Sequence, residues 1–370
     1  MSHYLGKRRP SREIMVGGVG IGGDHPITVQ SMNNTDTRDV EATLRQINEL
    51  AEAGCDITRV AIPDMRAAEA LESICRQSPL PVVADIHFDY RLALESIRRG
   101  AAKIRINPGN IGGEERLRTV VRAAKEAGVP IRVGVNSGSL QQELIDKHHG
   151  VTPEALAESA LWAARLVEDC DFSDICLSLK ASDPVLTIAA YRLIADRCDY
   201  PLHLGVTEAG TPGTGTIRSA VGIGTLLAEG IGDTIRVSLT GDPVEEIRAG
   251  RAILSSLGLK QSGPTLISCP TCGRTQVDLI ALAQKVESAI SKLPYNIKVA
   301  VMGCAVNGPG EARDADVGIA GGDGKYLIFA DGRQLRTISE ENAVEELLRT
   351  IEEMRQSGRF GQSTGKTDKN

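Results

Sequence analysis

An alternation constrains the fold of this chain most. From about residue 27 to residue 240, short apolar runs of strand length take turns with amphipathic stretches of helix length. Eight candidate strands stand out: Ile27–Asn33, Asp56–Ile62, Val82–His87, Lys103–Asn107, Ile131–Asn136, Asp174–Lys180, Leu202–Thr207 and Thr234–Leu239. Helix-like segments follow, as at Asp39–Ala53, Glu114–Ala127, Pro184–Arg197 and Pro243–Leu257. Strands that alternate with helices pair in parallel. Eight such units over this length predict an α/β fold, a (β/α)8 barrel of the TIM type. An open doubly wound sheet is the rival arrangement.

The strands share a parity. Lys103, Arg105 and Asn107 oppose Ile104 and Ile106; Arg132 and Asn136 oppose Ile131, Val133 and Val135. Ser178 and Lys180 oppose Leu177 and Leu179, His203 and Thr207 oppose Leu202, Leu204 and Val206, and Arg236 and Ser238 oppose Ile235, Val237 and Leu239. In a barrel one parity faces the helices and the other the lumen. The apolar parity must meet the helices, so the lumen reads as polar and largely cationic. A half-solvated antiparallel sheet gives the same alternation, but the intervening helices argue against it.

Before the first strand, Gly18, Gly20 and Gly23 satisfy G-x-G-x-x-G literally. The context is wrong for a dinucleotide site, because a strand follows and no helix opens on the last glycine. The segment reads as an N-terminal hairpin. After the barrel, Gly258–Pro264 reads as a linker. Then come an apolar run into Cys269, a helix over Gln276–Leu293, strands Lys298–Gly303, Val317–Ala320 and Tyr326–Ala330, and a helix over Glu340–Arg355. The expected domains are a barrel with its hairpin at 1–258, a small α+β domain at 265–356 and a disordered polar tail at 357–370.

Composition excludes several classes. The net charge is −6 and aromatic residues make up 3% of the chain, which leaves neither a basic footprint nor stacking platforms for nucleic acid. No apolar run approaches bilayer length, and the basic stretch Met1–Pro10 has no apolar segment behind it, so a cytoplasmic location is expected. In that compartment the eight cysteines read as thiols or as metal or cluster ligands, not disulfides.

Five cations fall late in predicted strands: Arg59, Arg105, Arg132, Lys180 and Arg236. Barrel active sites lie at the C-terminal ends of strands. Converging guanidinium groups repel one another unless an anion compensates them, and arginine forks suit phosphate oxygens. A multiply charged phosphorylated substrate is the expected ligand. The bland alternative is that each pairs with a neighbouring carboxylate. Asp85 and His87 end the third strand with one parity and are candidate acid/base or orienting groups. Glu208, directly after the seventh strand, is a candidate proton donor. The Gly/Thr-rich stretch Gly210–Thr216 is expected as a loop before a helix Ile217–Glu229, with amides that can hold phosphate.

Cys55, Cys75, Cys170, Cys176 and Cys198 are scattered and read as small buried hydrophobes. Cys269 and Cys272 form C-x-x-C, and Cys304 follows the next apolar run. No histidine or cysteine follows Cys304. Three readings are open. A structural zinc wants a fourth Cys or His, and a dithiol pair uses two of the three thiols. A [4Fe–4S] cluster with three thiolates and one distinct iron uses all three, with Glu311 as a candidate oxygen ligand.

Seven motifs carry a resemblance: Val29-Gln30-Ser31-Met32-Asn33-Asn34-Thr35, Val83-Ala84-Asp85-Ile86-His87-Phe88-Asp89, Arg105-Ile106-Asn107-Pro108-Gly109-Asn110-Ile111-Gly112, Gly134-Val135-Asn136, Pro201-Leu202-His203-Leu204-Gly205-Val206-Thr207-Glu208-Ala209-Gly210, Cys269-Pro270-Thr271-Cys272 and Asn307-Gly308-Pro309-Gly310-Glu311. Through these the chain, to about residue 355, resembles the bacterial two-domain 4-hydroxy-3-methylbut-2-enyl diphosphate synthases of non-mevalonate isoprenoid biosynthesis. The resemblance implies reductive ring opening and dehydration of 2-C-methyl-D-erythritol 2,4-cyclodiphosphate, with two electrons from reduced flavodoxin or ferredoxin. It implies a [4Fe–4S] cluster on Cys269, Cys272, Cys304 and Glu311. Glu208 would donate a proton near the departing hydroxyl, and Asp85, His87, Asn107, Asn136, His203 and Ser238 would position the substrate beside the cations. It also implies a homodimer in which one chain's cluster domain caps the partner's barrel. The competing classes are a non-redox hydro-lyase on the same barrel and cluster, and a regulatory iron–sulfur or zinc protein without turnover.

Overall fold

The structure is a computed structural model that describes residues 5–260, 263–291, 293–304, 312, 314–322, 324–330 and 332–358. It divides into two compact units, Met1–Lys260 and Gln261–Asn370.

The first unit opens with an antiparallel hairpin, β1 (Ile14–Val16) and β2 (Val19–Ile21), turning at Gly17 with φ +58°. Eight parallel strands follow: β3 (Thr28–Met32), β4 (Ile57–Ala61), β5 (Val82–Asp85), β6 (Lys103–Ile106), β7 (Ile131–Asn136), β8 (Ile175–Lys180), β9 (His203–Leu204) and β10 (Thr234–Ile235). Their order is β8-β7-β6-β5-β4-β3-β10-β9, and a parallel bridge between Leu177 and Leu202 joins β8 to β9. The ring is therefore the expected TIM-type barrel, not an open sheet. The last two strands are shorter than expected, although extended pairing continues beyond them through Arg236 N–H to Leu204 O at 2.9 Å and Thr207 N–H to Ala181 O at 3.0 Å.

Nine helices of this unit are described: α1 (Val40–Glu52), α2 (Met65–Gln77), α3 (Tyr90–Arg98), α4 (Glu114–Ala127), α5 (Gln142–Lys147), α6 (Pro153–Glu168), α7 (Pro184–Ala195), α8 (Pro212–Ala228) and α9 (Pro243–Ser256). Aspartates start many of them. The carboxylates of Asp39, Asp64, Asp89, Asp183 and Asp242 each accept a first-turn N–H, which offsets the unpaired amides of a helix start. Gly210–Thr216 departs from the expected loop: α8 begins at Pro212, and Gly213–Thr216 form its first turns. Proline at the first helical position has its φ set for the helix. Gly215 fits where a Cβ would meet Gly210 O and Leu239 Cδ2, both at 2.7 Å.

The apolar parity of the strands packs against these helices in one large core that includes Val29, Val60, Ala84, Ile104, Ile106, Val133, Leu177, Leu204 and Val237. The lumen is not polar throughout. Ile57, Val83 and Cys176, which share the lumen parity, cluster with Ile14, Val16 and Ile21 of the hairpin. The hairpin so closes the N-terminal end of the barrel with an apolar plug.

The second unit is a five-stranded mixed sheet in the order β11 (Thr265–Ser268), β12 (Lys298–Met302), β13 (Val317–Gly322), β14 (Lys325–Ala330), β15 (Arg333–Ser339). The first three strands are parallel and the last two antiparallel. Strand β15 escaped the sequence reading because it is a polar edge strand, RQLRTIS, with little apolar alternation. Helices α10 (Leu279–Ile290) and α11 (Ala343–Gln356) bury Leu282, Val286, Leu347 and Ile351 against Val299, Val301, Ile319 and Ile328 of the sheet. Asp278 caps α10, so this helix starts three residues later than expected.

Candidate functional site

The polar lumen residues converge above the plug. Registers place Asp85 beside Arg105, Arg105 beside Arg132, and Asn136 beside Lys180, all on the lumen face. Arg59, Arg105, Arg132 and Lys180 are buried, Arg132 with only 1% of its surface exposed. Lys103, two residues before Arg105, is buried deeper. Two glycines clear their paths. A Cβ on Gly134 would meet Arg105 Nε at 2.7 Å, and one on Gly205 would meet Lys180 Nζ at 2.9 Å.

Compensation is sparse. Asp85 is the acid facing this group: Arg105 Nη1 donates to its Oδ1 at 3.3 Å, and Arg59 Nε lies 3.7 Å from its Oδ2. Arg59 also donates from Nη2 to Met32 Sδ at 2.8 Å, and Arg132 from Nη1 to Gln30 Oε1 at 3.3 Å. Lys103 Nζ, Arg132 Nε and both ring nitrogens of His203 have no hydrogen-bond partner among the described residues. Arg236 sits at the end of β10, with Nη2 on Glu246 at 3.0 Å and Nη1 on Ser238 Oγ. Among the described residues around the lumen, then, five buried cations share one paired aspartate, and a sixth leans on a carboxylate from α9.

The electrostatics follow from burial and crowding. Burial works against the charge of Asp85, but Arg59, Arg105 and Arg132 outweigh it and hold the carboxyl down at about 2. Asp85 is therefore anionic, held between Arg59 and Arg105. Burial, with repulsion from Arg236 and Arg105, lowers Arg59 to about 10. Burial lowers Lys103 to about 8. Arg132, Lys180 and His203 are pushed well below their ordinary values by burial first and by their cationic neighbours second.

The other expected residues ring the mouth or lie below it. His87 is more than half exposed, with Nδ1 3.4 Å from Arg105 Nη1 and Nε2 3.8 Å from Asp85. Asn107 caps the turn Pro108–Asn110, accepting from Gly109 N–H at 3.2 Å. Asn136 ends β7, half-buried. His203, the first residue of β9, lies fully buried beneath the mouth. Glu208 is exposed, and its φ of +51° is left-handed, a conformation that costs a non-glycine residue of order 1 kcal/mol.

Three supporting residues went unassigned in the sequence. Gln30 and Met32 lie in a quoted motif, and their lumen parity on β3 was the available signal. Glu246 lies on a helix, and its signal was a glycine one turn later on the same face.

In the second unit, Cys269 follows β11 and Cys304 follows Met302 of β12, the strand paired with it, so both leave the same end of the sheet. Gly303 N–H donates to Cys269 Sγ at 3.2 Å. The C-x-x-C turn is tied by Cys272 N–H to Thr275 Oγ1 at 3.1 Å and Thr275 N–H to Cys272 O at 3.0 Å. The Arg274 backbone lowers the exposed Cys272 thiol. Among the described residues no three His, Cys, Asp or Glu side chains are close enough to share one metal ion. Glu311 and residues 307–310 lie outside the described residues, as do 359–370 of the expected tail. Thiols carried on adjacent strand ends, with an N–H already directed at sulfur, fit the requirements of a cysteine-bound cluster. No helix among the described residues is long and apolar enough to cross a membrane.

Comparison with known proteins agrees with this arrangement. A family model described as the GcpE TIM-barrel domain matches residues 11–251, and one for the GcpE protein C-terminal domain matches residues 265–353. A 4-hydroxy-3-methylbut-2-en-1-yl diphosphate synthase (flavodoxin) of Ruminiclostridium cellulolyticum is 61% identical, over 94% of this chain and 99% of its own. Proteins of the same description from Caldanaerobacter subterraneus and Geobacter sulfurreducens are 60% and 57% identical, over 94% and 93% of this chain and 98% of their own. The chain belongs to the GcpE family of enzymes, the family of the 4-hydroxy-3-methylbut-2-en-1-yl diphosphate synthases.

Proposed function

We propose that this enzyme reductively opens 2-C-methyl-D-erythritol 2,4-cyclodiphosphate to 4-hydroxy-3-methylbut-2-enyl diphosphate in non-mevalonate isoprenoid biosynthesis, in the cytoplasm. Counted in the acid forms, two electrons and two protons enter and one water leaves. The observation that carries the reading is the charge imbalance of the lumen, where among the described residues Asp85 is the one acid paired with any of Arg59, Lys103, Arg105, Arg132 and Lys180. Unpaired buried cations are costly, and a diphosphate supplies the missing negative charge.

Arg59, Arg105, Arg132 and Lys180 bind the diphosphate. Arg236 and Ser238 close on it from the segment after β10, while Asn107, Asn136 and His203 fix its orientation. Asp85 keeps Arg59 and Arg105 aligned, and His87 completes that group at the rim. Glu208 delivers the proton that lets the hydroxyl depart as water. Cys269, Cys272, Cys304 and Glu311 hold a [4Fe–4S] cluster, which supplies single electrons drawn from reduced flavodoxin or ferredoxin. The active form is a homodimer with its site shared between chains. An inactive Cys269→Ala chain mixed with an inactive Arg132→Ala chain then regains activity on subunit exchange.

The test is anaerobic purification followed by assay of the cyclodiphosphate with a reduced donor. The expected preparation is brown, absorbs broadly near about 400 nm, holds about four irons per chain and turns over only with the donor. Turnover without an electron source, or a colourless protein with one zinc, overturns the reading.

A further inference from the structure

Helix α9 carries a carboxylate on its buried face. Glu246 is only 3% exposed. Three donors converge on it: Ser31 Oγ reaches Oε2 at 2.8 Å, while Arg236 Nη2 and the Leu239 N–H reach Oε1, both at 3.0 Å. Gly250, one turn along the same face, lets the helix come this close, since a Cβ there would meet Val29 Cγ1 at 2.9 Å. A buried carboxylate persists only when paired and hydrogen-bonded, and this one has donors from β3, from Arg236 and from the segment after β10.

Arg236 needs such an anchor. It shares the lumen with Arg59 and Lys180 and raises the cost of charge on both. Repulsion alone would push its guanidinium outward toward solvent. Asp85 steadies Arg59 and Arg105 from within the ring of strands, and for Arg236 the steadying charge comes from outside that ring. We propose that Glu246 is a positioning residue: it holds Arg236 toward the substrate diphosphate and, through the Leu239 amide, fixes the segment that leads into α9. This role rests on the reading of the lumen as a diphosphate site.

The test uses the full-length, cluster-loaded enzyme and the variants Glu246→Gln, Arg236→Ala and the double variant. Glu246→Gln keeps the shape and loses the charge. It is expected to raise KM for the cyclodiphosphate about tenfold, with kcat within about threefold, because a hydrogen bond to a charged group is weakened. Cluster content and melting temperature stay as in the parent. The double variant matches Arg236→Ala alone, since Glu246 acts through that side chain. Effects that multiply, or a loss of melting temperature with KM unchanged, overturn the role and leave Glu246 as an anchor of α9. Ser31→Ala gives a second check that leaves Glu246 intact. It is expected to raise KM about twofold to threefold, by loss of one neutral hydrogen bond, and an unchanged KM counts against the role. Calorimetry with inorganic diphosphate separates this inference from the functional reading. Weaker diphosphate binding by Glu246→Gln in a protein that does not turn over the cyclodiphosphate keeps the role and sinks the reaction. Normal turnover by the parent with unaltered diphosphate binding by the variant does the reverse.

Discussion

The guanidinium of Arg105 lies over Gly134, close enough that a Cβ on the glycine would meet its Nε at 2.7 Å and its Nη2 at 3.1 Å. The obstruction would be the far end of a flexible side chain, not backbone. Gly134→Ala is therefore expected to fold, with a stability change below about 1 kcal/mol, yet to displace Arg105 from Asp85. Substrate KM should rise about tenfold while kcat changes less. Steady-state kinetics beside a denaturant titration decide this; a variant with parental KM would show that the contact has no part in binding.

Lys103 is a buried ammonium without a hydrogen-bond partner among the described residues. Burial depresses it to about 8 from an ordinary 10.5. The unfolded chain thus holds a proton that the folded chain releases between about pH 8 and 10.5. Folding stability at this residue rises with pH across that window and carries its full penalty below it, on the order of 3 kcal/mol. Lys103→Met is expected to stabilise the ligand-free enzyme by about 1–3 kcal/mol at pH 7, with the gain shrinking as the pH climbs toward 10. Urea melts at pH 7 and 10 measure both; a gain that does not vary with pH would place its cause elsewhere.

Glu208 combines a strained backbone with an exposed carboxyl. Glu208→Gln should retain substrate binding within a few-fold and cut turnover by roughly 10²–10⁴, the usual worth of a positioned acid. The backbone gives an independent handle. Glu208→Gly should exceed Glu208→Ala in stability by about 1 kcal/mol, because glycine adopts a φ of +51° without strain. Equal stabilities would mean that the turn relaxes once the glutamate is gone.

Thr275 ties the C-x-x-C turn through its hydroxyl to the Cys272 N–H. Thr275→Val keeps the volume and removes that acceptor, at a cost of about 1 kcal/mol. The expected result is a cluster that assembles but is lost several-fold faster in air, followed by iron content and visible absorbance. A decay rate equal to the parent's would show the turn to be held by other contacts.

The barrel was readable because its rule is local. Each strand announces itself by parity, each of the helices α1, α2, α3, α7 and α9 opens on an aspartate, and eight repetitions leave little room for another closure. Arg59, Arg105, Arg132 and Lys180 could be placed together from strand parity and from their late positions in the strands. Their supports could not. Met32 is a thioether that assists an arginine, Gln30 is one amide among many, and Glu246 reaches the site from a helix whose partner is 10 residues away in the chain and a layer away in space. Strand β15 was hidden for a different reason, since an edge strand has little to bury and so carries a weak apolar signal. The start of α8 was hidden by its glycines, which resemble a loop until their packing against Gly210 and Leu239 is seen.

The hairpin of β1 and β2 has a consequence for traffic. By stopping one end of the barrel with Ile14, Val16 and Ile21, it turns the lumen into a cul-de-sac. Whatever enters must leave through the same opening. Spent ligand and fresh ligand therefore contend for one doorway, and each turnover ends only when its occupant has backed out. The cations above that stopper stay buried even in the empty lumen, so their mutual repulsion is a standing pull on any anion that arrives.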